Sequence, residues 1–474
     1  MASSPNIIFL ISDQMQQKAV MDPRSLCQMP HLRLLQQDGI TFERAHTVNP
    51  ICSPARASLI TGVLPHTHGM VDCTHTVPAY RAEFDDSLWT LPQAIKDQGY
   101  TLAYYGKWHI ERSNDLGKFG FTDYETEVQI PKRDLTPVKR VVVKTPGYKD
   151  STVAGVYRED STVSEEHYIY DRAMGFMDQA GDQPFCVFIS TYAPHDPYVI
   201  PEEIYDIYKG SIPDFPASMQ DTFDDKPFIY NRLKQVWKDL SDEEILDILR
   251  CYYGYCSLVD VQIGRLTEYL KAKNLYDNTI IVFLSDHGDM VGGHGMFCKG
   301  VPAFDEVYRI PLVMKLPNQE LCGQTRDVFA DTCDILPTVL SLAGIPWKGG
   351  ELHGQDLLDP NIPPKEFGYA EFHGQRYSYT QRVVWYQDMK YVFNTFDRDE
   401  LYDLSKDPDE LHNLIDDADY QQAKEQMAAL MWRRVIETND WSLRDAQYFM
   451  HRFAPVGPQR QSAGSDFNLY NKSF

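Results

Sequence analysis

The run CSPARASLITG at residues 52–62 sets a cysteine ahead of a proline and an arginine, a pattern that can build an anion site. Pro54 suits the first turn of a helix, where its missing N–H costs nothing. Cys52 would then sit near the positive end of the helix dipole, where negative charge is stabilised. A buried cysteine in front of a proline-started helix is the plainer alternative. Asp13 ends the apolar run NIIFLIS and Asp286 ends NTIIVFLS, so two distant carboxylates could converge on one hard divalent cation. Taken alone, Asp13 also suits a cap and Asp286 a turn. Arg56, Lys107 and Lys299 offer fixed positive charge for an anion and its transition state. His109 and His195 offer imidazoles, which titrate near neutrality and suit proton transfer. Singly, Lys107 and Lys299 read as surface lysines and His195 as a turn residue before Pro197. His46, His75 and His294 read as pocket wall or core at least as readily as functional groups.

The first two-thirds of the chain alternates apolar strand-like runs with helical patterns. This predicts an α/β fold with a large, mostly parallel central sheet flanked by helices. Strands are expected at 6–12, 101–106, 184–191 and 278–286, and helices at 30–39 and 90–99, each ending on a glycine. Three of these strands run straight into Asp13, Lys107 and Asp286, and open parallel sheets gather ligands at their carboxyl ends. Residues 112–165 and 200–245 read as insertions. The first carries Lys132, Arg133, Lys139, Arg140, Lys144 and Lys149, read as a solvated loop, with a lid or anion subsite as the alternative. Beyond residue 365 the texture changes to aromatic strands, a turn-rich stretch and a helix near 420–438. The expected division is a catalytic domain over 1–365, a smaller C-terminal α+β domain over 366–440 and an extended tail over 441–474.

With 474 residues, 43% of them hydrophobic, the chain can bury a substantial core. Lys and Arg total 45 against 68 Asp and Glu, a net charge of −23, which argues against nucleic acid or an anionic membrane as the main partner. An anionic substrate must therefore be drawn in by a few focused cations. No stretch approaches the roughly 20 apolar residues of a spanning helix. The opening MASSPNIIFLISDQ has no basic n-region and reads as a buried strand, not a signal peptide. Cytoplasm is the expected compartment, or the periplasm if a leader was removed. The nine cysteines lack metal-finger spacing, and most are expected to be reduced.

In order along the chain, SDQ (12–14), CSPARASLITG, YGKWH (105–109), APHDPY (193–198) and SDHGDMVGGHGMFCKG (285–300) resemble the motifs of the type I sulfatases of the alkaline-phosphatase-like superfamily. DEVYRIPLV (305–313), CDILPTVLSLAGI (333–345) and LYDLSKDPDELHNL (401–414) extend the resemblance over most of the chain. It implies that a maturation enzyme oxidises Cys52 to Cα-formylglycine. It also implies one divalent metal held by Asp13, modified Cys52, Asp286 and His287, with Gln14 beside them. Calcium is the first choice, with Mn²⁺, Mg²⁺ or Zn²⁺ as alternatives. The family often has a second acid where this chain has Gln14, which leaves open whether Gln14 offers its carbonyl to the metal or its amide to the substrate.

The implied activity is hydrolysis of a sulfate monoester, of a small molecule or a sugar, to an alcohol and inorganic sulfate. In the implied scheme Asp286 takes a proton from the hydrated aldehyde, while Lys107 and Lys299 neutralise the sulfuryl oxygens. His195, helped by Lys299, protonates the departing alcohol. His109 deprotonates the second hydroxyl so that the aldehyde re-forms, and Arg56 holds the diol. A phosphonate monoesterase or phosphodiesterase of the same superfamily is the rival, sharing the Asp–Gln start and the Asp–His pair. It lacks the pair matched here by Lys107 and His109, which favours sulfate. The remote alternative is an unmodified, non-catalytic binding protein. The tail suggests a homodimer or homotetramer.

Overall fold

In a computed structural model the described residues are 4–75, 83–127, 137–144, 150–211, 215–375 and 379–444. The strands β1 (Asn6–Ser12), β2 (Ile40–His46), β3 (Thr101–Gly106) and β4 (Asp123–Glu125) come first, followed by β5 (Lys139–Val143) and β6 (Ser151–Tyr157). Next come β7 (Phe185–Ser190), β8 (Tyr198–Pro201), β9 (Thr279–Ser285), β10 (Leu312–Lys315) and β11 (Gln324–Asp331). The last four are β12 (Gly368–Phe372), β13 (Gln381–Tyr386), β14 (Met389–Asn394) and β15 (Glu400–Asp403).

Eight strands form the central sheet in the order β11-β2-β10-β9-β1-β7-β3-β4. Its ladders are parallel except the two that β10 makes with β2 and β9. Strand β1 turns Ile8 and Leu10 into one core and Ile7, Phe9 and Ile11 into another. Burial on both faces is what a parallel sheet requires, and explains why NIIFLIS is continuously apolar. The helices Pro30–Gln37, Glu165–Ala180 and Asp242–Ala272 cover the first face. Cys52–Thr61, Leu91–Lys96 and Ile335–Ala343 cover the second.

Register brings the strand ends level. Ser12 pairs with Ser285, Ile11 with Ser190, and Gly106 with Ser190. Whatever follows β1, β3, β7 and β9 therefore emerges along one edge. The expected α/β architecture is present, and the smaller C-terminal α+β unit is an antiparallel sheet, β12-β13-β14-β15, with the helix Gln421–Glu437 packed on it.

The solvated-loop reading of 112–165 does not hold for 139–143 and 151–157. There β5 and β6 pair antiparallel and β8 extends them, with Val141, Val143 and Val153 buried, and Lys139 ion-pairs with Asp247 at 2.5 Å. The alternation of valines outweighs the local charge. Lys132, Arg133 and Lys149 lie outside the described residues, as do residues 445–474 and with them the expected oligomer contact. The insertion reading of 200–245 runs into the start of a 31-residue helix, Asp242–Ala272, which opens on a Ser241–Glu244 capping box. No helix among the described residues is long and apolar enough to cross a membrane.

Candidate active site

Helix Cys52–Thr61 is buried along its whole length and ends on Gly62, whose φ of 70° gives the left-handed cap. Its first residue points at the carboxyl edge of the sheet. There Asp13, Cys52, Asp286 and His287 offer ligand atoms that all lie within 4.8 Å of one another. Cys52 Sγ is 3.2 Å from His287 Nε2 and 3.8 Å from Asp13 Oδ1. His287 Nε2 is 3.6 Å from Asp13 Oδ1 and 3.7 Å from Asp286 Oδ1. Donors bound at about 2.3–2.5 Å to one ion lie roughly 3.3–4 Å apart, so these spacings are those of a coordination shell. All four residues are buried, and two buried carboxylates facing one point fit a cation.

Arg56 organises the acids from behind. Its Nε donates to Asp286 Oδ2 at 2.7 Å and its Nη2 to Asp13 Oδ2 at 3.2 Å. Nη1 donates to the Lys107 carbonyl and to Ser190 Oγ, both at 2.7 Å. Four of its five N–H groups are so engaged, and its principal task here is orienting the carboxylates. Lys107, leaving the end of β3, ion-pairs with Asp13 and lies 3.6 Å from Cys52 Sγ. Burial and the neighbouring Cys52 favour a neutral Asp13, but the charges of Lys107 and Arg56 hold its carboxyl well below the ordinary range. Burial would likewise raise the Cys52 thiol. A hydrogen bond from Cys73 and the charges of Lys107 and Lys299 reverse that and favour the anion at position 52.

Lys299 and His195 form a second group. His195 Nδ1 donates to the Asp196 carbonyl at 2.6 Å, which leaves Nε2 to accept from Lys299 Nζ at 2.7 Å. Lys299 also donates to Gln14 Oε1, while Gln14 Nε2 donates to Asp196 Oδ1 at 3.1 Å and Asp289 Oδ2 at 2.5 Å. Thus the Gln14 side-chain carbonyl faces the lysine and its amide faces two acids, an arrangement that matches neither of the two alternatives left open by sequence. Asp289 also accepts from Tyr198, and burial pushes its carboxyl up to about 6. The long helix contributes Tyr252, whose hydroxyl donates to the backbone carbonyl of Gln14 and accepts from the backbone N–H of Gln16.

His109, with φ of 53°, lies beside His75, its Nε2 3.2 Å from His75 Nδ1. Cys73 lies against both imidazoles and against Cys52. Sequence reading singled out His75 only weakly and passed over Cys73, Asp196 and Asp289. The two acids were within reach, since APHDPY and SDHGD each carry one. His46 and His294 are both core: His46 packs at 4.3 Å against Trp385 with the rings tilted by 35°, and His294 stacks at 3.6 Å on Phe304 and bonds to Asp221 at 2.7 Å.

Comparison with known proteins agrees with this geometry. The sequence profile described as Sulfatase matches residues 5–345, and that of the N-sulphoglucosamine sulphohydrolase C-terminal region matches 292–437. An uncharacterized sulfatase, YidJ, of Escherichia coli (strain K12) is 30% identical over 428 residues, 86% of this chain and 84% of its own. A choline-sulfatase of Rhizobium meliloti (strain 1021) is 27% identical over 452 residues, 87% of this chain and 82% of its own. A structure solved in complex with its substrate D-glucosamine-2-N,6-O-disulfate shares the fold with a TM-score of 0.73 at 22% identity, over 94% of this chain and 100% of that one. The phosphonate monoester hydrolase of Agrobacterium radiobacter does so at 0.77 and 23%, over 93% and 97%.

Proposed function

Because the chain belongs to the sulfatase family and is a sulfuric ester hydrolase, we propose that it cleaves sulfate monoesters through residue 52, converted from cysteine to Cα-formylglycine, beside one divalent cation. The observation that carries this reading is the buried convergence of Asp13, Cys52, Asp286 and His287, with Lys107 on one side and the Lys299–His195 pair near it.

Asp13, Asp286, His287 and residue 52 would hold the cation, calcium by preference, which supplies Lewis-acid charge for a hydroxyl and for the sulfuryl oxygens. Oxidised and hydrated, residue 52 supplies two hydroxyls, one to attack sulfur and one whose deprotonation expels sulfate as the aldehyde returns. Asp286 accepts the proton of the attacking hydroxyl. Lys107 and Lys299 hold the sulfuryl oxygens and offset the charge that grows on them. His195 passes a proton to the departing alcohol, replenished from Lys299 at 2.7 Å. His109 takes the proton of the second hydroxyl. Arg56 keeps both metal carboxylates aimed, and Gln14 keeps Lys299 in place.

The alcohol is a small molecule or a sugar, and the cytoplasm is the proposed compartment. The test is a panel of sulfate monoesters with one phosphonate ester and one phosphodiester, run on protein made with a formylglycine-generating enzyme. Sulfate esters should be turned over fastest, and Cys52→Ala should lose activity by more than about a thousandfold while keeping its fold. Preference for the phosphonate would move the assignment to the rival esterases. Full activity in Cys52→Ala would refute the nucleophile.

A further inference from the structure

A second ligand set lies beside the catalytic one and shares no residue with it. Cys73, His75 and His109 present a thiol and two imidazoles whose ligand atoms all lie within 4.8 Å of one another. His75 Nδ1 and His109 Nε2 are 3.2 Å apart, with the two rings nearly parallel at 7°. Two nitrogens bound to one zinc at 2.0–2.1 Å in a tetrahedral shell stand about 3.3 Å apart. The segment carrying Cys73 and His75, which runs into a turn at Thr74, is pinned on both sides of that one residue. Thr74 N donates to Ser53 Oγ at 3.1 Å, and Arg112 Nε donates to the Thr74 carbonyl at 2.8 Å. The Cys73 amide donates to Asp72 Oδ1 at 2.6 Å, which keeps a carboxylate at the edge of the cluster.

The donor chemistry separates the two sets. Asp13 and Asp286 are hard oxygen donors, whereas one sulfur and two imidazoles form a borderline-soft set that favours Zn²⁺ over Ca²⁺. Cys73 is buried, His109 half-buried and His75 exposed, so the cluster opens to solvent at one side.

We propose that Cys73, His75 and His109 form an inhibitory zinc site at the mouth of the catalytic pocket, with the fourth position open to water. Zinc there takes the His109 nitrogen away from proton transfer and sets a divalent charge next to residue 52. The metal site stands independently of the sulfatase reading. Its inhibitory effect rests on the proposed role of His109.

The test uses calcium-saturated, matured protein. Titration calorimetry with Zn²⁺ should show one equivalent bound with calcium retained, and Co²⁺ in its place should give a sulfur-to-cobalt charge-transfer band. His75→Ala should bind zinc at least about tenfold more weakly, and its turnover with zinc, taken relative to its own turnover without zinc, should resist inhibition. Cys73→Ser should bind cobalt without the charge-transfer band. Zinc affinity unchanged in His75→Ala, or no charge-transfer band in the parent protein, would overturn the site. Zinc bound as described without loss of turnover would overturn the inhibition and with it the His109 role, leaving the binding site standing.

Discussion

Replacing Arg56 with methionine removes the guanidinium that spans Asp13 and Asp286 while keeping most of the side chain's volume. Arg56 is 2% exposed, and it bridges Asp286 at 2.7 Å and Asp13 at 3.2 Å. Removing one partner of a buried ion pair leaves an uncompensated charge and costs about 3–5 kcal/mol. The Lys107 carbonyl adds little to this, because Tyr104 and Ser190 hydroxyls still donate to it at 2.5 and 2.8 Å. Lys107 still neutralises Asp13, which places the expected loss toward the lower end, about 3 kcal/mol. A cation bound between the same carboxylates substitutes for part of the lost charge. A ligand at a hundred times its Kd stabilises the folded state by about 2.7 kcal/mol, and the acids of Arg56→Met should gain more from it than those of the parent. Urea unfolding of parent and variant, in chelator and in calcium, reads both quantities. Arg56→Lys, which restores one contact, should fall between the two. A loss below about 1 kcal/mol in chelator, the size of an exposed pair, or a larger loss in calcium than in chelator, would refute the reasoning.

Three further outcomes follow from the geometry. His195→Gln should slow esters of poor leaving alcohols by about 10²–10⁴-fold and barely affect an activated aryl sulfate; equal loss for both classes would remove the acid role from His195. Removing divalent metal with a chelator should abolish turnover, and calcium should restore it; activity that survives exhaustive chelation argues against a metal-assisted reaction. The third concerns stability. His66 donates from Nδ1 to Glu371 at 2.5 Å and from Nε2 to the Thr438 carbonyl at 2.9 Å, so the ring is an imidazolium that ties helix Pro65–His68 to β12. Burial disfavours that charge, but Glu371 raises the His66 pKa, and the reciprocal charge holds Glu371 well down against its own burial. The His66 contribution is complete below the ordinary imidazole pKa and is lost as pH rises through its raised folded value; the Glu371 contribution is complete above the ordinary carboxylate pKa and lost as pH falls through its depressed one. His66→Gln should cost about 3–5 kcal/mol in mild acid, a difference that shrinks as pH rises in unfolding measurements. A difference independent of pH would show the ring to be neutral.

Much of the site was legible because strands announce their ends. NIIFLIS, TLAYYG and NTIIVFLS are buried on both faces, so the first polar residue after each marks the sheet's carboxyl edge, and Asp13, Lys107 and Asp286 emerge there together. Cys52 was legible for a different reason, the proline-started helix behind it. Residues whose placement depends on a loop path escaped. Cys73 reaches Cys52 through a segment with no periodicity, and Asp289 earns its role only from Gln14 and Tyr198, which lie far off in sequence. The helix Asp242–Ala272 went unread because its buried residues, Tyr252, Gly254, Cys256 and Asp260 among them, wrap most of its circumference and blur a one-sided stripe. Gly264 is needed there because a Cβ would fall 2.6–2.7 Å from the His31 ring. Charge misled in the opposite direction at Lys139 and Arg140, where the alternating valines of β5 decide the structure.

The most direct measurement is a crystal structure of the matured protein with calcium. It should show a single ion within about 2.3–2.6 Å of oxygens from Asp13, Asp286 and residue 52, the last now carrying oxygen in place of sulfur. An ion held elsewhere, or a residue 52 that remains a cysteine in protein that still releases sulfate, would contradict the account.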